Sequence, residues 1–290
     1  MRPLLRGLAA AGLLLLGIAV TGAQPLASAD SLRARYSSLQ QKLAHSPFGR
    51  PLYLESVRNG GDVSGDVFAV AEHPFATLNA GLDEASQWCE ALILHLNVKQ
   101  CRSSTGTRTG SLVVHIGTKH AQPPELAQRV EFEFRVLADT EQYLQILLRA
   151  DKGPLGTHDY RVMLEAIPLD GGRSFFHLAY SYSYGTVARL AMQGYLGTIG
   201  RDKVGFTVVG HTPEGQPVYV GDMRGVVERN AMRYYLAIDA YLDSLKLPAR
   251  ERVEYRLREW FAATERYPLQ LHELSEREYL EMKRVETARK

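Results

Sequence analysis

The amino-acid sequence predicts an α+β protein in which a curved antiparallel sheet wraps around one long helix near the C-terminus. Segments with alternating apolar and polar residues fill most of residues 98–184, and such alternation is typical of strands with one face in the core. Short turns join these segments, which favours antiparallel pairing. The segment 225–245 then places apolar residues at three- and four-residue steps, the spacing of an amphipathic helix.

The chain begins with the features of a secretory signal peptide. Two arginines precede an apolar run over residues 7–20, and a site of small residues ends at Ala29. We therefore expect residues 1–29 to be cleaved after Ala29, which leaves an exported protein, either periplasmic or secreted. The alternative is an uncleaved N-terminal anchor, although the apolar run is short for a membrane span.

The charge of the predicted mature chain is balanced. The sequence has 34 Lys and Arg against 32 Asp and Glu, and removal of Arg2 and Arg6 leaves 32 of each sign. A balanced surface gives no net attraction to nucleic acid or anionic lipid, so we expect no nucleic-acid partner. Length and composition suit one domain over residues 30–246 followed by a small helical appendage over residues 247–290.

The N-terminal part is predicted to contain three helices and a hairpin. Ser31 can cap a helix that ends near residue 44, a Gly-Gly turn joins two strands, and Pro74 occupies the favoured first position of the next helix. The predicted elements are a helix at 31–44, strands at 52–57 and 64–72, and helices from 74 to 82 and from 84 to 95.

Cys89 and Cys101 are the only cysteines. In an exported protein such a pair predicts a disulfide, which would tie a helix to the strand after it. Two neighbouring buried thiols are the alternative, because spacing does not fix geometry. Beside them His95, Asn97 and Lys99 alternate, and we expect this polar run to solvate or anchor the end of the helix pair.

Six strands form the predicted meander, at 98–103, 111–118, 130–136, 141–150, 159–168 and 173–184. The segment 186–199 is either an inserted helix near a ligand entrance or a plain connector, and a strand follows at 204–209. The long helix has an apolar stripe formed by Val227, Ala231, Tyr234, Ile238, Tyr241 and Leu245, with its charged residues elsewhere on the wheel. Two charged helices at 250–264 and 275–289 form the appendage, the second opened by a capping box at Ser275 and Glu278.

Four features of this chain carry a resemblance to a known family. They are the strand Gly65-Asp-Val-Phe-Ala-Val-Ala71, the helix entry His73-Pro-Phe-Ala-Thr-Leu78, Trp88 in the next helix, and the long helix itself. Their order over residues 31–245 resembles the helix-grip fold of the START-like superfamily, named for the steroidogenic acute regulatory protein. The resemblance implies a cavity between the long helix and the sheet, for a sterol, phospholipid, polyketide or other apolar molecule.

The candidate ligand wall is an aromatic sheet face opposite the long helix, because a tyrosine ring offers apolar area together with one hydrogen-bonding tip. Ordinary core packing is the alternative. On a neighbouring strand Arg161 and Glu165 share a face, which we expect to be solvated rather than to line the cavity. The predicted ligand-binding residues are Phe132, Phe134, Leu164, Phe176, Leu178, Tyr180, Tyr182, Ala231, Tyr234 and Ile238.

No sequence motif indicates a cofactor, a metal or a nucleophile. The nine histidines are scattered, without His-Glu-x-x-His spacing, and there is no Gly-x-Ser-x-Gly elbow or phosphate loop. We expect no cofactor and no metal. The primary hypothesis is an exported, monomeric binding or transfer protein for a hydrophobic small molecule or lipid. The alternatives are a hydrolase- or cyclase-type cavity enzyme using Tyr182, Arg161 or His177, and an interaction protein whose C-terminal helices dock onto a membrane-associated partner.

Overall fold

The computed structural model describes residues 28–104, 106, 108–186, 189 and 203–289. The predicted signal peptide, apart from Ser28 and Ala29, lies outside the described residues. So does the segment 186–199, apart from Thr186 and Arg189. Within the part of the chain that the structure describes, no helix combines the length and apolarity needed to cross a bilayer.

Eight antiparallel strands form one sheet in the order β1-β2-β8-β7-β6-β5-β4-β3. Strands β3 to β8 make the predicted meander, and the N-terminal hairpin β1-β2 adds to it by pairing β2 with β8, with Val67 opposite Leu178. The strands are β1 Leu52–Asn59, β2 Asp62–Ala71, β3 Val98–Ser103, β4 Thr109–Ile116, β5 Gln128–Thr140, β6 Tyr143–Lys152, β7 Thr157–Leu169 and β8 Arg173–Tyr184.

The helices lie on both sides of this sheet, and a small hairpin precedes the long one. The helices are α1 Ala29–Ala44, α2 Phe75–Leu82, α3 Ala85–Leu92, α4 Asp222–Ser244, α5 Ala249–Glu265, α6 Pro268–Leu271 and α7 Glu276–Thr287. The strand predicted at 204–209 is displaced: β9 is Val208–His211, and it pairs with β10 Pro217–Tyr219. The cause is Glu228, which accepts hydrogen bonds from the backbone N–H groups of Phe206 and Thr207 and so removes them from strand pairing.

Helix α1 covers the outer face of the sheet. In the chain that still carries residues 1–29, Ser28 is its N-cap and Ser31 completes the capping box three residues later. Cleavage after Ala29 would remove Ser28, so the capping of this helix by Ser31 in the mature protein stays a prediction. The inward residues of α1 form a separate outer cluster with Phe68 and Phe175.

Helix α4 lies on the inner face, packed on β1, β2 and β8. Gly65 of β2 permits this close approach, because a Cβ atom there would lie 3.2 Å from the carbonyl oxygen of Val227. Helix α3 packs at the other end of the sheet, on β3 and β4. The sheet thus wraps around the two helices, which confirms the predicted α+β helix-grip fold.

Several charged residues of α4 lie off its apolar stripe and are nevertheless buried. Glu228 is fully buried, at 0% exposure, and Arg229 and Arg233 are buried as well. Helices α5 and α6 cover Arg233, since the Trp260 ring nitrogen donates to the Arg233 carbonyl at 3.1 Å and Arg233 donates to the Leu271 carbonyl at 3.3 Å. The segment before β9 covers the other two: Phe206 and Thr207 donate to Glu228, and Arg229 donates to the Val204 carbonyl. Trp260 and Tyr279 belong to the main hydrophobic core. The apolar stripes of the C-terminal helices therefore face inward, and the capping box at Ser275 and Glu278 forms as predicted.

A disulfide joins Cys89 to Cys101, with Cα atoms 5.2 Å apart. It links α3 to β3, as the sequence predicted. Because α3 forms one wall of the space between helices and sheet, this bond fixes that wall to the sheet edge.

Candidate functional site

A cavity of about 270 Å³ lies between α4, the turn after α3 and the inner face of the sheet. It exists because α4 packs on β1, β2 and β8 while α3 packs on β3 and β4, which leaves space over the strands between them. Its lining residues are Leu92, His95, Asn97, Val98, Val114, Ile116, Gly117, Phe132, Leu148, Pro154, Leu155, Thr157, Tyr160, Val162, Tyr180, Tyr182, Met223, Val226, Asn230 and Tyr234.

The sheet side of the cavity is largely apolar and aromatic. Strands β4 to β8 each direct alternate residues inward, so branched aliphatic side chains such as Val114 and Val162 form a floor beside Phe132. The rings of Tyr160 and Tyr182 stack at 5.1 Å, and Tyr180 lies 5.7 Å from Tyr182. These rings form a continuous aromatic wall.

The tyrosine hydroxyls give this wall an uncharged polar component. Burial raises the pKa of Tyr160, Tyr180, Tyr182 and Tyr234 above the ordinary value, so each stays a neutral phenol at physiological pH. The Tyr160 hydroxyl is 2.7 Å from the Thr157 hydroxyl. The wall can therefore exchange hydrogen bonds with a ligand without presenting a charge.

His95 closes the helix side of the cavity and is only 3% exposed. Its Nδ1 accepts a hydrogen bond from the backbone N–H of Asn97 at 3.1 Å, and its ring stacks on Tyr234 at 4.9 Å. Burial, followed by the nearby charges of Arg233 and Lys283, lowers the pKa of His95 well below its ordinary value. The imidazole is therefore neutral, and the bond at Nδ1 places its proton on Nε2.

No well-aligned hydrogen bond from the described residues reaches that Nε2 atom. The Asn230 side chain lies beside it and interacts with both the His95 ring and the Tyr180 hydroxyl. Three uncharged polar groups, from His95, Tyr180 and Asn230, thus lie together at one end of a mainly apolar cavity.

The cavity opens to solvent beside the connection between β6 and β7. Leu155 lines it and is 68% exposed. This residue has a left-handed backbone, with φ 56°, a conformation that is uncommon for a residue other than glycine. An apolar side chain is thereby held at the rim.

Four of the ten predicted ligand-binding residues line this cavity: Phe132, Tyr180, Tyr182 and Tyr234. The other six pack in the adjacent core and are absent from the lining that the structure describes: Phe134, Leu164, Phe176, Leu178, Ala231 and Ile238. The sheet face and α4 touch where Phe176 packs 5.4 Å from Tyr235 and where Tyr180 packs 5.2 Å from Tyr234, and the cavity lies beyond these contacts, beside Tyr182. Ligand contact by any of the ten stays a prediction.

The polar run beside the cysteines has a role that the sequence did not predict. His95 lines the cavity, and Asn97 donates to the Gly117 carbonyl at 2.7 Å. Lys99 is fully buried and shares the Glu286 carboxylate with Lys283, at 3.2 and 2.7 Å. The expected solvating role is therefore wrong for His95 and Lys99, whereas the alternative, anchoring the end of the helix pair, holds for Lys99, whose Nζ donates to the Leu96 carbonyl at 2.8 Å. The available signal was their position within a strongly apolar stretch.

The outer face of the sheet holds a buried polar cluster that the prediction placed in solvent or in the cavity. Arg161 is exposed as expected, but Glu165 is only 6% exposed and bonds to His177 at 3.0 Å. Tyr143 also donates to Glu165. The cavity-enzyme alternative named Tyr182, Arg161 and His177 as candidate residues. Arg161 and His177 lie on the sheet face opposite the cavity, so Tyr182 is the one of these three that lines it.

A second polar cluster lies beside α4. His73, Asp239 and Asp243 each offer an atom that could bind a metal ion, and these atoms lie within 4.8 Å of one another. However, Arg50 donates to Asp239 at 2.9 Å, and His73 lies 3.2 Å from the same carboxylate. The charge of Asp239 is thus already balanced by a guanidinium.

No protein-family model matches the chain, and no curated protein matches it. Solved structures that are similar include human StAR-related lipid transfer protein 5, at 7% identity and TM-score 0.37 over 76% of this chain and 100% of that one. A conserved protein from Geobacillus kaustophilus matches at 10% identity and TM-score 0.37, over 62% and 95%. Norcoclaurine synthase from Thalictrum flavum matches at 9% identity and TM-score 0.34, over 51% and 82%.

Proposed function

We propose that this protein binds an uncharged, mainly apolar small molecule in the cavity between α4 and the sheet, and that it carries or senses this molecule after export. The observation that carries the proposal is the cavity itself, about 270 Å³ in volume, with an aromatic wall and neutral polar groups at one end. Ligand sites in proteins are commonly apolar pockets with a few convergent polar groups.

The volume limits the ligand class. An apolar cavity of about 150 Å³ accommodates benzene, so about 270 Å³ suits a molecule of one or two rings or a short branched chain. A diacyl phospholipid exceeds that volume. The proposed ligand is therefore smaller than the lipids in the initial hypothesis.

Export is part of the proposal and rests on the sequence of residues 1–29. The disulfide between Cys89 and Cys101 supports it, because such bonds persist mainly in oxidising compartments. N-terminal sequencing of protein recovered outside the cytoplasm tests this part. An intact N-terminus on all of the recovered protein would contradict cleavage after Ala29.

Binding is tested with naphthalene as the probe and a matched pair of variants. Val162→Phe puts a larger side chain into the cavity, whereas Met163→Phe adds a ring at the next residue on the opposite face of β7. We expect Val162→Phe to weaken naphthalene binding by about tenfold or more because it occupies the ligand volume, and Met163→Phe to leave binding unchanged. Equal binding by both variants, or none by the wild type in calorimetry, would refute the proposal.

Purification from the native host gives a second test. We expect mass spectrometry of an organic extract to detect a stoichiometric apolar compound, and its loss in Val162→Phe. An extract without such material from the wild-type protein would count against a carrier.

The convergence of His95, Tyr180 and Asn230 favours one second candidate, an enzyme acting on the same class of molecule. A neutral imidazole beside a phenol can donate and accept protons. The distinguishing measurement is the fate of the recovered compound: incubation with purified protein leaves it unchanged if the protein is a carrier and converts it if the protein is an enzyme.

A further inference from the structure

We propose that His95 selects ligands that carry a neutral hydrogen-bond acceptor, such as the carbonyl oxygen of an aryl or cyclic ketone, by donating from Nε2–H inside the cavity. This inference rests on the proposed binding function and specifies its ligand class.

The first step is the identity of the donor. The backbone N–H of Asn97 occupies Nδ1 at 3.1 Å, so Nδ1 is the acceptor nitrogen of a neutral ring and Nε2 carries the hydrogen. The same bond fixes the plane of the imidazole, and stacking on Tyr234 at 4.9 Å fixes it further. The direction of the Nε2–H bond is therefore set before any ligand arrives.

The second step is the poor pairing of this donor. Nε2 is buried, and no well-aligned hydrogen bond from the described residues reaches it, although the Asn230 side chain lies beside the ring. A poorly paired buried donor destabilises the folded protein. His95 and Asn230 both line the cavity, so a ligand oxygen that displaces the Asn230 side chain can supply a better acceptor.

The third step is the shape of the remaining space. Tyr234 packs 5.2 Å from Tyr180, and the stacked pair Tyr160 and Tyr182 continues the wall. A flat ring system suits a space bounded by aromatic faces. With its ring along this wall, the ligand would direct its polar atom to the His95 end.

The fourth step is charge. The polar side chains that line the cavity are those of His95, Asn97, Thr157, Asn230 and the tyrosines, all of which are uncharged in the state described above. Transfer of a carboxylate into such surroundings without a paired cation is costly. The nearby cations Arg233 and Lys283 already pair with Glu273 and Glu286, at 2.9 and 2.7 Å, so they do not offset the cost of burying a ligand carboxylate.

Three naphthalene probes separate these contributions. They are 2-acetonaphthalene, which has a carbonyl acceptor, 2-ethylnaphthalene, which has similar size without one, and 2-naphthoate, which is anionic. We expect the wild-type protein to bind the ketone about five- to tenfold more tightly than the hydrocarbon, the range of one net hydrogen bond, and to bind naphthoate more weakly than the ketone.

Two variants of His95 form a matched pair. His95→Asn can keep an oxygen near the Nδ1 position for the Asn97 N–H but lacks a group at Nε2, whereas His95→Gln can place its amide N–H near Nε2. We expect His95→Asn to lose the preference for the ketone with hydrocarbon affinity unchanged, and His95→Gln to retain part of the preference. Unchanged hydrocarbon affinity shows that the cavity is intact in both.

The outcomes distinguish the two proposals. If the wild-type protein binds ketone and hydrocarbon equally, if His95→Asn keeps the full preference, or if naphthoate binds most tightly, the role of His95 is refuted while ligand binding stands. If none of the three probes binds the wild type, the proposed function fails and the inference fails with it. Should His95→Asn not fold, the affinity ratio of the wild type still decides.

Discussion

His177 lies on the outer face of the sheet between two carboxylates. Its Nε2 is 2.8 Å from Asp66 and its Nδ1 is 3.0 Å from Glu165, while its ring stacks on Phe68 at 4.2 Å. Burial alone lowers the pKa of His177, but the hydrogen bonds to Asp66 and Glu165 outweigh it and raise the pKa to about 9. The imidazolium is therefore part of the folded structure at neutral pH.

The raised pKa of His177 determines how much the imidazolium stabilises the folded protein and over which pH range. The ordinary value is 6.5 and the folded value about 9, and at 1.36 kcal/mol per pKa unit the difference is about 3 kcal/mol. Because the folded pKa is the higher one, the stabilisation is fully present below about pH 6.5 and is lost as the pH rises through about 9. The variant His177→Gln removes the titrating group and keeps a polar side chain.

The assay is urea unfolding followed by circular dichroism at about pH 6 and about pH 10. We expect His177→Gln to lower the free energy of unfolding relative to the wild type, and this loss should be about 3 kcal/mol larger at about pH 6 than at about pH 10. His158→Gln is the control, since His158 pairs with Asp159 at 2.8 Å on the exposed surface, where ion pairs contribute little. A stability difference between wild type and His177→Gln that does not change with pH would refute the reasoning.

Three further predictions concern packing, the disulfide and a buried amine. Gly65→Val should push α4 from the sheet and lower the free energy of unfolding by about 1–3 kcal/mol, measured by thermal unfolding. Gly210→Val is the control and should leave it unchanged, because a Cβ atom there meets no atom within 4 Å. Equal melting temperatures of the two variants would contradict this prediction. Joint replacement of Cys89 and Cys101 by alanine should cost about 3 kcal/mol in urea unfolding, since it opens a short covalent loop, and no loss would exclude that contribution. Burial lowers the pKa of Lys283 from 10.5 to about 8, so the unfolded chain binds more protons between those values and stability should rise with pH across that range. Lys283→Met should remove this contribution, so that the stability of the variant rises less with pH across that range than the stability of the wild type, and an identical pH slope in both proteins would disprove it.

The fold was predictable because its signals are local. Alternation along residues 130–136 and 173–184 places side chains on two faces whatever the partner strand is. The length and spacing of 225–245 required a long helix, which the structure has at Asp222–Ser244. The presence of two cysteines close together in the sequence predicted the disulfide that the structure contains. Errors occurred where a contact remote in sequence competes with the local pattern, as at residues 204–209, where Glu228 accepts hydrogen bonds from the N–H groups of Phe206 and Thr207.

The site was predictable only in part. Tyr180 and Tyr182 of β8 and Tyr234 of α4 were identified from one-face alternation and helical spacing, and they line the cavity. His95 and Asn230 were missed as cavity residues, because nothing in the order of the chain shows that a turn after α3 meets the middle of α4. Glu165 was placed in solvent because its strand pattern does not reveal that α1 covers that face.

The sequence by itself determined the classes of element, the two faces of each strand and the partner of each cysteine, since periodicity and covalent chemistry act over short distances along the chain. The tertiary structure alone decided where the walls touch and where they separate. Phe176 and Tyr235 pack at 5.4 Å, while the space beside Tyr182 and His95 remains a cavity of about 270 Å³. That division depends on how closely α4 approaches β2 at Gly65 and on where α3 is held by its disulfide, and both are distances between segments remote in sequence.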